Sequence, residues 1–516
     1  MKEINSDMNE KKQLFVNITA SLVALAVNAG ISFLLTPFII ENVGTQAYGF
    51  VSLANSFINY ALIFTIALNS MSGRFIAVSI FRKNYQDANE YYSSTFIANV
   101  LLVVVLGVIA TFLIWNLNNL VNVDEALLLD VQMLMGALFF NFFITLLSTN
   151  LGISYYVKNK LYISSVISMA GVVIRAAVLV LLYSVAPPRI VYVGIGALCV
   201  TGITQFANII YKRKLLPEIS IRYGNFHFKK VKELMASGIW NALTKMGTLM
   251  TEGLDLLIAN LLLGAEFMGI LAIVKTLPSL IGTLLTTLSG TFLPKLTQLY
   301  AQDEKQAFVI NTKQYMKIIN TLFSIPIALI IGYGDVFFSL WVPSQNAGFL
   351  HTLSIFTILP WAVIGACSVI HNIFAVINRI KINSMLILLT GLLNSGITYI
   401  LLKTTSAGLY AVVAVGCATS LLRNLLYTVP FGAIYLGRKW TLFFSEVFRS
   451  VLAVGVISVL GYLIRQALHI DSWTLLVFYA GLTGLLGLGI NWFIMLDKSD
   501  REYFRILVMK KIRKNS

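Results

Sequence analysis

The chain is a succession of apolar segments long enough to cross a bilayer, joined by polar stretches too short to fold alone. A spanning helix needs roughly 20 apolar residues. Hydrophobicity and length place helices at 14–40, 48–80, 91–115, 127–150, 160–184, 188–211, 236–263, 267–293, 312–332, 348–377, 381–402, 407–435, 444–466 and 473–495. The predicted fold class is an all-α polytopic membrane protein of about fourteen transmembrane helices, with no substantial domain outside the bilayer. Composition agrees: the chain is 58% hydrophobic and only 12% charged, against about 25% charged residues in a soluble domain. The first segment is too long for a signal-peptide core and lacks a small-residue cleavage site, so it counts as a helix.

The formal net charge of +16 reads as membrane topology rather than as nucleic-acid binding. Of the 38 Lys and Arg, three lie in predicted outer loops (Arg189, Lys403, Arg465) and four within spans (Arg175, Lys245, Lys275, Arg423). The remaining 31 lie in loops and helix ends on the other side, with clusters at Lys212-Arg213-Lys214, at Lys229 and Lys230, and at Lys510, Lys511, Arg513 and Lys514. Both termini are therefore expected in the cytoplasm. The widest gap, 212–235, mixes basic and apolar residues. It reads equally as an ordinary inner loop and as a segment lying on the anionic inner leaflet. Cys199, Cys367 and Cys417 lack pair or metal spacing and read as small core residues.

An internal repeat divides the helices. "VGTQAYGFVSLANS" at 43–56 and "LGAEFMGILAIVKT" at 263–276 each place two glycines five positions apart before an apolar helix, Gly44 and Gly49 matching Gly264 and Gly269, 220 residues on. "SGRF" at Ser72 to Phe75 matches "SGTF" at Ser289 to Phe292, and "QD" follows both, at Gln86-Asp87 and Gln302-Asp303. The unit is six helices. An even number restores the same orientation, so the halves are parallel repeats about an axis along the membrane normal. This predicts an N-lobe at 1–212, an inter-lobe linker at 213–235, a C-lobe at 236–437, and a remainder at 438–516 holding helices 13 and 14 and a basic tail.

No Walker A loop, HExxH or nucleophile elbow occurs, so no catalytic residue, metal site or cofactor is expected and the chain does not read as an enzyme. What remains is polar residues inside spans, where an ionisable group costs at least about 2.5–3.5 kcal/mol and must face a cavity or a partner. In predicted helix 7, Lys245, Thr248, Glu252 and Asp255 fall within about 80° of one face. Asp255 and Lys275 lie at matching depths in helices 7 and 8, which predicts an ion pair that Glu252 could share, beside a bend at Pro278. Its role could be to hold the two helices together or to couple transport to protons or sodium. Asn17, Ser21, Asn28 and Ser32 share a face of helix 1, and Asn55, Asn59 and Asn69 a face of helix 2. Such stripes more often bind helices together than line a hydrated cavity. Arg175 and Arg423 are too deep to reach water easily. With Lys245, Lys275 and Arg74, which closes helix 2, they would suit an anionic group such as a diphosphate.

"ENVGTQAYGFVSLANSFINYALIF" at Glu41 to Phe64, "SGRFIA" at Ser72 to Ala77 and "YYSSTF" at Tyr91 to Phe96 resemble the polysaccharide (Wzx-type) flippases of the multidrug/oligosaccharidyl-lipid/polysaccharide exporter superfamily. The resemblance covers most of the chain and carries over no single residue. It implies two bundles around a central cationic cavity, alternating access, and an undecaprenyl-diphosphate-linked oligosaccharide carried from the inner to the outer leaflet of the bacterial cytoplasmic membrane. A polysaccharide polymerase and glycosyltransferases would be further partners beside membrane lipids. The alternatives are a cation-coupled multidrug exporter of the same superfamily, kept open by Glu252 and Asp255, and a non-transporting scaffold of a polysaccharide assembly complex.

Overall fold

The computed structural model describes residues 2–377, 379–497 and 501. Fourteen helices are long and apolar enough to cross a membrane, and no strand occurs among the described residues. Spans 1 to 7 are Thr19–Val43, Thr45–Phe81, Tyr85–Trp115, Glu125–Leu147, Leu161–Val185, Val191–Leu215 and Phe228–Leu263. Spans 8 to 14 are Ala265–Gly290, Lys305–Trp341, Ala347–Val376, Ile380–Thr404, Leu409–Ile434, Phe444–Ala467 and Trp473–Ile494. The helix containing span 1 begins at Lys2. Lys510, Lys511, Arg513 and Lys514 lie outside the described residues.

Three spans are interrupted. Span 7 breaks at Gly253, between helices Phe228–Glu252 and Leu254–Leu263. Span 10 breaks before Trp361, where Pro360 supplies no N–H to the helix ladder. Span 12 passes through a π-turn at Asn424–Thr428 just ahead of Pro430. Span 8 is helical through Pro278. Span 7 begins at Phe228, eight residues before the apolar segment that predicted it. The "FKKVKELM" stretch is polar but helix-compatible, so the helix extends beyond its hydrophobic part.

The chain forms two compact units, Met1–Ile273 and Val274–Ser516. In the first, span 1 packs on span 5, span 4 on span 6, and span 2 on both span 3 and the first helix of span 7. Much of the polar stripe of span 1 serves this packing. Asn17 Nδ2 donates to Asn159 Oδ1 at 2.9 Å, Ser21 and Ser165 hydroxyls meet at 3.2 Å, and Asn28 Nδ2 reaches Ser168 Oγ at 3.3 Å. In span 2, Asn69 and Asn99 exchange amide hydrogen bonds at 2.9 Å, and Ser72 Oγ donates to Asn150 Oδ1 at 2.9 Å.

In the second unit, span 9 is the hub on which spans 10, 13 and 14 pack. Tyr333 and Thr483 hydroxyls meet at 2.7 Å, Asn491 Nδ2 donates to Ser324 Oγ at 2.9 Å, and Asn320 Nδ2 donates to the Glu446 carbonyl at 3.1 Å. Arg465 pairs with Asp335 near one end of these helices. Near the other, Asp497 takes Lys317 Nζ at 2.6 Å and an Arg449 Nη at 2.7 Å. Spans 13 and 14, unmatched in the sequence repeat, are thus tied to span 9 from end to end.

The hydrogen bonds from Arg449 and Lys317 hold the Asp497 carboxyl down at about 2 from an ordinary 3.8. A depressed carboxyl pKa stabilises the folded state fully above the unfolded pKa and loses that contribution as pH falls toward 2. Asp497→Asn is therefore expected to lower stability at pH 7 by about 1 kcal/mol, allowing for solvent screening of a side chain 46% exposed. The gap from the parent should narrow below pH 4 and close near pH 2. Denaturant midpoints of detergent-solubilised protein across that range check it, and a gap independent of pH refutes it.

Candidate functional site

The break in span 7 frees backbone groups inside the membrane, where each must find a partner. Tyr60 of span 2 supplies one: its hydroxyl donates to the Gly253 carbonyl at 2.8 Å. Gly253 also admits the ring, since a Cβ there would lie 3.4 Å from Tyr60 Cε1 and only 2.9 Å from the Leu249 carbonyl oxygen. The second half-helix begins with Asp255 in its first turn, where the helix dipole favours a carboxylate. Asp255 Oδ1 accepts from the Leu256 N–H at 3.1 Å, and Tyr60 lies within its electrostatic reach. Lys245 is half-buried two turns before the break. Glu252 is the last residue of the first half-helix, and its side chain lies outside the described residues.

Arg175 is half-buried in span 5, against span 6. Gly196 makes room for it: a Cβ there would lie 3.5 Å from Arg175 Cγ. Its Nε is buried with no hydrogen-bond partner among the described residues, and Tyr48 at the start of span 2 is within electrostatic reach. Arg74 is exposed near the end of span 2. Asn55 is also exposed and donates to its own helix, to the Val51 carbonyl at 2.9 Å. Asn28 combines its bond to Ser168 with one to the Ala24 carbonyl at 2.7 Å.

In the second unit, Arg423 ends the first helix of span 12, immediately before the π-turn. π-turns inside α-helices concentrate at functional sites. Arg423 stands within electrostatic reach of His371 and Cys367 on span 10. Lys275 is half-buried in span 8, three residues before Pro278. None of these candidates lines the groove of about 640 Å³ between spans 3 and 4. That groove is walled mainly by apolar side chains, Val103, Val104, Val108, Phe112 and Phe143 among them.

At the end of the first unit opposite the basic loops, the two repeat motifs meet. Gly44 and Gly264 turn the chain with φ of +85° and +102°, a conformation glycine adopts without steric cost. Five residues on, Gly49 and Gly269 touch: a Cβ on Gly49 would lie 2.9 Å from Gly269 N and Cα. Beside them, Asn122 N–H donates to Asn260 Oδ1 at 2.8 Å, Asn122 Nδ2 to the Asn260 carbonyl at 2.9 Å, and Asn260 Nδ2 to the Asn122 carbonyl at 3.1 Å. Gln46 Nε2 donates to Asp124 Oδ2 at 2.7 Å. The sequence marked these glycines as a repeat, but nothing in it announced that they pack on each other. Tyr60, His371 and the Asn122–Asn260 pair went unread, because an isolated tyrosine, histidine or asparagine among apolar residues carries no periodic signal.

The fold matches those of several solved membrane transporters at low sequence identity. The chain matches a lipid II flippase, MurJ, in an inward closed conformation, with a TM-score of 0.65 and 13% identity over 93% of this chain and 99% of that one. It matches an inward-facing multidrug resistance MATE family transporter with a TM-score of 0.63 and 13% identity over 82% of this chain and 98% of that one. A third match is a MOP superfamily transporter from Pyrococcus furiosus described as having a binding pocket of reversed polarity, with a TM-score of 0.61 and 12% identity over 83% and 96%. In sequence the chain is 28% identical over 511 residues to an uncharacterized membrane protein, EpsK, of Bacillus subtilis (strain 168), covering 97% of this chain and 98% of the relative. No family model matches.

Proposed function

We propose that the protein is a flippase that carries an undecaprenyl-diphosphate-linked oligosaccharide from the inner to the outer leaflet of the bacterial cytoplasmic membrane by alternating access, for cell-surface polysaccharide synthesis. The carrying observation is the extent of the fold match, 93% of the chain for the lipid II flippase against 82% for the multidrug transporter. The difference is about the length of two spans with their loops, so the flippase accounts for more of this chain. Cationic groups within spans support the same cargo, because a diphosphate would pair with Arg175, Lys245, Lys275 and Arg423. An Asp255–Lys275 pair, with or without Glu252, would set or couple the transition. Outward movement of two negative charges from a negative interior gains about 4.6 kcal/mol at 100 mV. Termini in the cytoplasm, the two six-helix lobes with their linker, and contacts with a polymerase and glycosyltransferases belong to the same reading.

Deletion of the gene should make lipid-linked precursor accumulate on the inner leaflet and abolish surface polysaccharide, and Lys245→Gln with Arg423→Gln should reproduce both at normal protein levels. Unchanged export in the deletion strain, with no second flippase present, would sink the proposal. The MATE likeness supports one other reading, a drug exporter, for which the deletion strain would instead become drug-sensitive with its polysaccharide intact.

A further inference from the structure

We propose that the segment joining spans 6 and 7 is a docking surface for anionic phospholipid, held at headgroup depth by the third span. The segment is a strap of irregular chain with one 3-10 turn at Tyr223–Asn225. Asn89 Nδ2 donates to the Glu218 carbonyl at 3.1 Å, and Asn89 Oδ1 accepts from the Ser220 N–H at 2.7 Å. The Ser93 hydroxyl accepts from the Arg222 N–H at 3.1 Å, and that of Ser94 from the His227 N–H at 3.0 Å. Leu216 and Ile219 are buried in a cluster with Ile76, Ile80 and Tyr92, and Lys230 of the following helix pairs with Asp87. The strap is therefore fixed along the first turns of span 3.

Length sets its depth. Span 3 has 31 residues, about 46 Å at 1.5 Å per residue, whereas the hydrocarbon core is about 30 Å thick. Its mainly apolar part runs from Phe96 to Trp115, interrupted at Asn99 and Thr111, and at 1.5 Å per residue that is about 30 Å, the thickness of the core. Asn89, Ser93 and Ser94 then fall in the headgroup layer and the strap with them. At that depth the strap and the helix after it expose Tyr223 at 82% and Phe228 at 71%, together with Ile221 and Met235. Arg213, Lys214, Arg222, Lys229 and Lys232 are exposed around them, and only Glu218 and Glu233 oppose that charge between 213 and 233. Aromatic rings amid cations, at an interface, are the combination that inserts among anionic headgroups. The charge complementarity selects an anionic lipid surface as the occupant.

The test uses the full chain in vesicles of phosphatidylcholine, with or without phosphatidylglycerol. Tyr223→Cys and Phe228→Cys, in a background with the three native cysteines replaced, carry an environment-sensitive fluorophore. Quenching by shallow nitroxide-labelled lipid should be about twofold stronger with phosphatidylglycerol, and the excess should vanish in 1 M salt, where the Debye length is about 3 Å. Adding Arg222→Gln, Lys229→Gln and Lys232→Gln should abolish the excess in low salt. Hydrogen exchange of residues 216–230 in the unaltered protein gives the same comparison without substitutions, and slower exchange with phosphatidylglycerol is expected. Labels quenched by aqueous iodide in both vesicles, exchange indifferent to lipid, or shielding that appears only when a second protein is added would overturn the proposal.

Discussion

Gly269→Val is expected to destabilise the protein by about 3 kcal/mol and, on the proposed function, to abolish export, while Gly396→Ala, also in a span, leaves export unchanged and stability unchanged or slightly raised. The difference lies in what the new side chain meets. A Cβ on Gly269 runs into the carbonyl group of Thr45, and one on Gly49 into the backbone of Gly269. Backbone cannot rotate aside as a side chain can, so the helices must separate, and overpacking of this kind costs about 1–3 kcal/mol or more. A β-branched residue adds steric demand at the first turns of a helix. Gly396 has nothing within 4 Å of its would-be Cβ, and alanine there gains up to about 1 kcal/mol of helix propensity. Separation at Gly269 also strains the Asn122–Asn260 bonds beside it, where a buried amide left unpaired costs about 1–3 kcal/mol. Thermal midpoints of detergent-purified protein, with surface polysaccharide measured in the same strains, decide the matter. A Gly269→Val protein that melts with its parent would show that this contact has room to give.

The same contact shows what sequence can and cannot convey. Fourteen spans were legible because bilayer thickness sets a minimum apolar length for a crossing helix, and each meets it although the helices run from 22 to 37 residues. The repeated glycines were legible as a pattern, but their meeting is a three-dimensional event between helices 220 residues apart in sequence. The stripe Asn17, Ser21 and Asn28 was legible as polar residues on one face, and its partners Asn159, Ser165 and Ser168 were not, because partner choice depends on which helix lies alongside. Helix breaks were partly hidden for a different reason. Pro278 lies inside a helix that continues past it, since proline sacrifices one hydrogen bond that neighbouring groups can replace. Gly253 promised little and breaks its span, with Tyr60 supplying the replacement hydrogen bond. A single sequence records the local cost of such a break but not the distant group that offsets it.

Arg175→Met is expected to separate stability from function: the melting temperature should hold or rise, and export should fall by at least about tenfold, or 1.4 kcal/mol. Taking a guanidinium out of water costs several kcal/mol that incomplete partners do not repay, so an apolar chain of similar length in its place is expected to be neutral or stabilising. Arg175 is half-buried, and its Nε is buried with no hydrogen-bond partner among the described residues. Methionine fills much of the same space beside Gly196. If the guanidinium exists to meet a diphosphate, removing it improves the resting protein and disables the working one. Arg175→Lys keeps the charge but loses the planar fork that takes two phosphate oxygens at once, so its export should fall between parent and methionine variant. Melting curves and precursor export measured on the three proteins side by side give distinct patterns. A sharp drop in melting temperature for Arg175→Met would assign the residue to helix packing, and full export with unchanged stability would remove it from the transport path.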